Sequence, residues 1–295
     1  MHSPLTLPSA MTQETQLSDI SLANLTVGRT AQVELIRAAA GAGFGKVGLL
    51  LMTATAQPLQ HEVIGRPDVI REIKAASRDT GVGIFDVEAF VLSPQTDIKR
   101  FRPALELGAE LGATHISSIG TEFADNATFL SKEQRIDLFG RLCDEAAQFG
   151  LTVGVEFMMY RDVQTWRDAL QMIDGAGRAN AGLILDVLHF FRAGAVPSDL
   201  REIPAERIAY AQLSDCVAAS LPPEKLAAEA RGSRLHLGEG AIPLQQILDQ
   251  LPAGLQLVIE TPVAVEAGLS TLERARSAAR HTTDFFQAFA CAPRV

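Results

Sequence analysis

The chain has 295 residues, 47% hydrophobic and 21% charged, the profile of a globular protein with enough apolar material for a large core. It carries 26 Lys and Arg against 35 Asp and Glu, a formal charge of −9, so no basic surplus exists to neutralise phosphates. That balance argues against nucleic acid or an anionic membrane as partner, and no apolar run approaches the length of a bilayer span.

Residues 1–16 are polar, rich in Ser, Thr and Pro, and lack the basic and apolar regions of a signal peptide. They read as a disordered leader, followed by a single domain over 17–295. Cys143, Cys216 and Cys291 lie far apart without paired-ligand spacing. Free thiols in a reducing cytosol are the expectation, and with it a cytoplasmic protein.

From about Leu17 short aliphatic runs alternate with longer amphipathic ones. Strands are expected over 20–26, 46–52, 82–90, 115–119, 152–157, 182–187, 208–213 and 255–261. Helices are expected over 30–40, 67–80, 97–111, 131–149, 163–176, 243–251 and 269–289, with a Pro-initiated, Ala-rich insertion at 219–230. Pro67 suits the first turn of one helix and Gly81 its stop. Ser131 and Gln134 have the spacing of a capping box, ahead of an apolar face at Ile136, Phe139, Leu142, Cys143 and Ala146. Eight strands alternating with helices, with no linker or shift in composition, predict a (β/α)8 barrel. A doubly wound sheet is the weaker alternative: Gly41, Gly43 and Gly45 end a helix instead of following a first strand.

Polar residues close several late strands: Glu156 after Val-Gly-Val, Asp186 after Leu-Ile-Leu, Gln212 after Ala-Tyr-Ala, Glu260 after Leu-Val-Ile. In a barrel the C-terminal strand ends converge on one face. Four oxygen donors at one buried mouth, most of them acids, would repel unless a cation sat among them, and a divalent metal is the economical explanation. Taken alone, Asp186 reads equally well as a cap for the segment that follows it. Asp86 and Glu88 share a strand face by alternation, expected inward, with substrate contact and core hydrogen bonding equally open.

The chain resembles the sugar phosphate isomerase/epimerase family of the xylose isomerase-like barrel superfamily. The resemblance covers roughly 17–289. It rests on Val155-Glu156-Phe157, Leu185-Asp186-Val187-Leu188-His189, Ala211-Gln212-Leu213-Ser214-Asp215, Gly238-Glu239-Gly240 and Ile259-Glu260, in that order. It implies Glu156, Asp186, Gln212 and Glu260 as metal ligands, with Gln212 where many members have His. An all-oxygen set favours Mn2+, with Mg2+ or Co2+ as alternatives and Zn2+ less suited. Glu156 and Glu260 would also move the substrate proton, and His189, placed on the loop after its strand, would be a donor or acid/base at a substrate oxygen or else a packed imidazole. Arg192 reads as a bidentate partner for a substrate carboxylate or phosphate, or equally as a salt-bridge arginine. Glu88, His236 and Arg234 are further candidates for substrate contact. Glu239 is expected to order the eighth loop, with neighbouring amides turned to the site.

The implied activity is a divalent-metal-dependent isomerase or epimerase acting on a sugar or related polyhydroxy keto compound through an enediolate. A dehydratase of a cyclic keto-polyol or keto-acid, such as dehydroshikimate or inosose, is the alternative, and a non-catalytic sugar-binding barrel is a third class. A small-molecule substrate and a homo-oligomer are expected. The family's endonuclease IV is set aside, because the six histidines lack its ligand pairs and the chain is acidic.

Overall fold

The structure, a computed structural model, describes residues 16–53, 59–123 and 127–291. The expected leader at 1–16 thus lies almost wholly outside the described residues. Eight parallel strands close into a barrel in sequence order. They are β1 (Ser21–Leu22), β2 (Lys46–Leu50), β3 (Gly83–Val91), β4 (His115–Ile119), β5 (Thr152–Glu156), β6 (Ala181–Asp186), β7 (Ile208–Leu213) and β8 (Leu257–Ile259). The helices are α1 (Asn24–Val27), α2 (Gln32–Ala42), α3 (Pro67–Thr80), α4 (Arg102–Glu110), α5 (Lys132–Ala147), α6 (Trp166–Ala176), α7 (Val187–Arg192), α8 (Pro223–Gly232), α9 (Leu244–Leu248) and α10 (Thr271–Cys291). The barrel predicted from alternation is the observed fold.

Helix boundaries follow local chemistry. Ser131 caps α5 in a reciprocal box with Gln134, as its spacing predicts, and Thr165 does the same for α6 with Asp168. Gly81 takes the left-handed conformation that ends α3. The main departures are at β1, where only two residues pair before the chain turns into α1, and at α7, which replaces the loop expected after β6. Asp186 causes the second: its Oδ1 accepts from the amides of Leu188 (2.7 Å) and His189 (3.3 Å), so the strand-end acid starts a helix within one residue.

Most of the core lies between barrel and helices, where Val47, Ile116, Val153 and Leu183 meet Leu35, Ile73, Leu105 and Leu142. A smaller cluster of Ala23, Phe85, Ile184, Tyr210 and Val258 is separate from it. The register of β2 against β3 slips at Phe85, since Val47 pairs with Ile84 while Gly48 pairs with Asp86. This bulge lets both Phe85 and Asp86 face inward, where strict alternation would send one of them out. Gly48 then leaves room for acids: a Cβ there would lie 2.5 Å from Asp86 Oδ1 and 3.3 Å from Glu88 Oε1.

Candidate active site

Because the strands are parallel, their C-terminal ends open on one side, and a cavity of about 300 Å3 lies there. Glu156 ends β5, Asp186 ends β6, Gln212 pairs with Asp186 across β6 and β7, and Glu260 follows β8 directly. All four are buried, at 6%, 0%, 2% and 5% exposure respectively. Glu88, Glu156, Gln212, Glu260, His189 and Arg234 line the cavity.

Arg234 reaches back from the loop after α8 into the midst of these acids. Its Nη1 lies 2.7 Å from Asp186 Oδ2 and its Nη2 lies 2.8 Å from Glu260 Oε2, while its Nε donates to the Ala230 carbonyl at 2.8 Å. The acids therefore have a protein cation among them, and repulsion between carboxylates does not by itself require a metal. One guanidinium does not balance them all. Burial first, then Glu260 and Asp186, raises the Glu156 carboxyl well above its ordinary range. Burial likewise raises Glu260, with Arg234 opposing. For Asp186 burial acts in the same sense, yet Arg234 and His189 outweigh it and hold the group below its ordinary range.

His189 is 3% exposed, with Nε2 3.6 Å from Glu156 Oε1 and 3.8 Å from Asp186 Oδ2. Those distances exceed a hydrogen bond, and Nε2 has no hydrogen-bond partner. Burial pushes its pKa down to about 4, so the ring is neutral near pH 7. Placed on α7 and not on a loop, it faces the site one helical turn from its own cap.

Two observations bear on whether a divalent cation fits. Donor atoms of Glu156, Asp186 and His189 lie within 4.8 Å of one another, and the buried Gln212 Oε1 has no hydrogen-bond partner. An imidazole nitrogen, two carboxylates and a free amide oxygen at one mouth are a donor set that suits such an ion. The set is not oxygen-only, because His189 lies beside two of the expected ligands.

Two expected substrate contacts are corrected. Arg192 is absent from the cavity wall; its fork grips Glu229 at 2.8 and 2.5 Å and donates to the Val217 and Ala219 carbonyls. The salt-bridge alternative is the one observed. His236 is turned towards α10, with Nε2 2.9 Å from Glu266 and its ring stacked on His281 at 4.1 Å. The amides of the eighth loop also turn away, since those of Gly238 and Gly240 donate to Asp215 Oδ2 at 3.2 and 2.9 Å. Gly240 has to be glycine in this arrangement: a Cβ would lie 2.2 Å from the Cys216 carbonyl. Glu88 and Asp86 face inward as alternation predicts, and burial raises both carboxyls. Arg161 and Arg231 on the cavity wall, and Glu122 paired with both, were not anticipated, because an ion pair between distant segments leaves no spacing in the sequence.

A parallel barrel whose mouth gathers carboxylates, an amide and an imidazole defines a class of proteins built to hold a polar ligand, with or without a metal, at the strand ends. A model of the xylose isomerase-like TIM barrel family matches residues 36–287, and the chain belongs to that family. It is 28% identical over 123 residues to a 3-dehydroshikimate dehydratase of Pseudomonas aeruginosa, covering 40% of this chain and 19% of that protein. It is 30% identical over 122 residues to an inosose isomerase of Halalkalibacterium halodurans, covering 41% of this chain and 42% of the relative. The chain thus spans less than half the length of either curated relative. Among solved structures, the IolI protein with a bound zinc atom superposes with a TM-score of 0.76 at 17% identity, over 92% of this chain and 99% of that one. These relatives include enzymes of the isomerase and dehydratase classes.

Proposed function

We propose that the chain is a metal-dependent isomerase or epimerase that moves a proton at a carbon beside the carbonyl of a polyhydroxy compound. The observation that carries this reading is that Glu156 and Glu260, two buried carboxyls from separate strands, line one cavity together with His189. Glu156, Asp186, Gln212 and Glu260 would hold the ion, with His189 within reach of it, and Mn2+ is the ion we favour. When bound, a divalent cation supplies Lewis-acid polarisation of the carbonyl oxygen.

The chain's own residues do the rest. One of Glu156 and Glu260 takes the proton and the other returns it; burial gives both the high proton affinity that such a role needs. Arg234 fixes one oxygen of Glu260 and so orients the other. Neutral His189 offers a hydrogen bond to a substrate oxygen.

A second reading, loss of water from a cyclic keto-acid or keto-polyol, draws support from Glu88. This carboxyl lines the cavity, is raised by burial and by Asp86, and would hand its proton to a departing hydroxyl. The similarity to a dehydratase points the same way.

Both readings meet one test. Candidate ketoses and keto-acids are incubated with the enzyme in D2O, with NMR following exchange and absorbance following any conjugated product. Deuterium incorporation without loss of water supports isomerisation, and a dehydrated product supports the second reading. Glu260→Gln and Glu156→Gln should each lower the rate by about 10²–10⁴-fold with an unchanged circular dichroism spectrum. Full activity in either variant would sink the assignment.

A further inference from the structure

Cations gather on the upper wall of the cavity, apart from Arg234. Arg161 lies in the segment after β5, and Arg231 sits on α8 in the insertion after β7. Both line the cavity. They are held together by a single acid, since Arg161 Nη2 lies 3.1 Å from Glu122 Oε2 and Arg231 pairs with that same oxygen. Both guanidinium groups also lie beside the ring of Tyr160, at 5.8 and 5.5 Å from its centroid. The two guanidinium groups share this one carboxylate as their ion-pair partner among the described residues. Arg161 is 3% exposed, and its Nε has no hydrogen-bond partner. A buried guanidinium with an unused donor is costly unless something else completes it. Arg29, on the segment after β1, lines the same cavity and makes no hydrogen bond or ion pair among the described residues.

Tyr160 relates this wall to the reacting end. Its ring stands edge-on to His189 at 5.7 Å between centroids. The arginine pair and the imidazole beside Glu156 and Asp186 thus share one neighbour, the Tyr160 ring. A cavity of about 300 Å3 has room for one six-membered ring bearing a small substituent.

We propose that Arg161 and Arg231 form an anion subsite that takes a carboxylate on the substrate, so that the enzyme acts on a polyhydroxy keto-acid and not on a neutral polyol. This rests on the catalytic reading above and narrows its substrate class. The paired guanidinium groups suit a carboxylate, and the planar fork of Arg matches its two oxygens.

The test is calorimetric binding to the whole protein, which needs no turnover, with quinate, its carboxamide, quinate bearing a phosphate ester, and myo-inositol as probes. Wild type should bind quinate about tenfold or more tightly than the carboxamide or myo-inositol, and less tightly as salt rises. Arg231→Gln should abolish that preference while leaving the affinity for myo-inositol unchanged, and Arg231→Lys should restore part of it. Because Arg161 also donates to the Gly120 carbonyl at 2.7 Å and its loss endangers the fold, the half-exposed Arg231 carries the test. Equal affinity for quinate and its amide, a preference for the phosphate ester, a preference that survives Arg231→Gln, or no binding of any probe would each overturn the subsite. Selective quinate binding without proton exchange or elimination in the D2O assay would uphold the subsite and sink the catalytic reading. Turnover of neutral polyols alone would do the reverse.

Discussion

At the scale of single residues, direction in space decides what a side chain does, and two arginines show it. Arg192 follows the Asp186 motif and looks placed for substrate, yet it is consumed by Glu229; Arg234, in a loop, reaches the carboxylates of Asp186 and Glu260. His115 shows how position sets a titration. Its ring packs against Phe85 at 4.7 Å and Tyr210 at 5.8 Å, and burial, aided by Lys46, pushes its pKa from the ordinary 6.5 down to about 4. The unfolded chain binds this proton as pH falls below about 6.5, whereas the folded chain does not until about 4. The contribution is therefore fully present above about 6.5 and is lost as pH falls through that window. In His115→Phe the melting temperature should drop less between pH 7 and pH 5 than in wild type. Equal drops in the two proteins would show that His115 does not carry this term.

At the scale of elements, caps and turns position the site as much as the strands do. Asp186 serves both as a candidate ligand and as the cap of α7, so the same carboxylate that pairs with Arg234 fixes where His189 begins its turn. Sequence spacing offered these as rival roles; of the two oxygens, Oδ1 takes the amides and so makes the cap, while Oδ2 takes Arg234. Away from the mouth, the α5 box is a clean measure of local chemistry. Ser131→Ala removes the acceptor for the Gln134 amide at an exposed helix start. Chemical denaturation should show a loss of about 1 kcal/mol with no change in ligand binding. A neutral result would mean that water replaces the cap there.

For the whole molecule, the barrel was readable because a parallel strand covered on both faces is a short continuous aliphatic run, and eight such runs alternate with helical patterns. Glu156, Asp186, Gln212 and Glu260 were readable for the same reason: each interrupts or follows such a run, and closure brings the strand ends together. What sequence could not supply was contact between distant segments. β1 is too short to announce its end, the bulge at Phe85 breaks the strand period, and Arg161, Arg231 and Glu122 meet from three segments far apart in the chain. An ion at the mouth would act on the folded molecule as a whole, because its donors come from three or more strands and from α7. At a concentration 100 times its dissociation constant, Mn2+ should stabilise the protein by about 2.7 kcal/mol, and chelator should reverse the rise in melting temperature. Asp186→Asn should abolish the response. A melting curve indifferent to Mn2+, Zn2+ and chelator would remove the metal from the functional reading.

The fork between Arg192 and Glu229 bears on how such a scaffold changes its diet. Glu229 is anchored by Arg192, and the adjoining Ala230 carbonyl holds Arg234, so the residues that seat the reacting end are tied down on one side of α8. Arg231 comes next in the chain and, among the described residues, pairs with Glu122 and lies beside the Tyr160 ring. On the reading proposed above, a change at position 231 would rewrite which end group is welcomed without disturbing Glu156 and Glu260. The helix separates taste from chemistry by a single residue step, which gives a barrel of this kind a low-cost route from one substrate to the next.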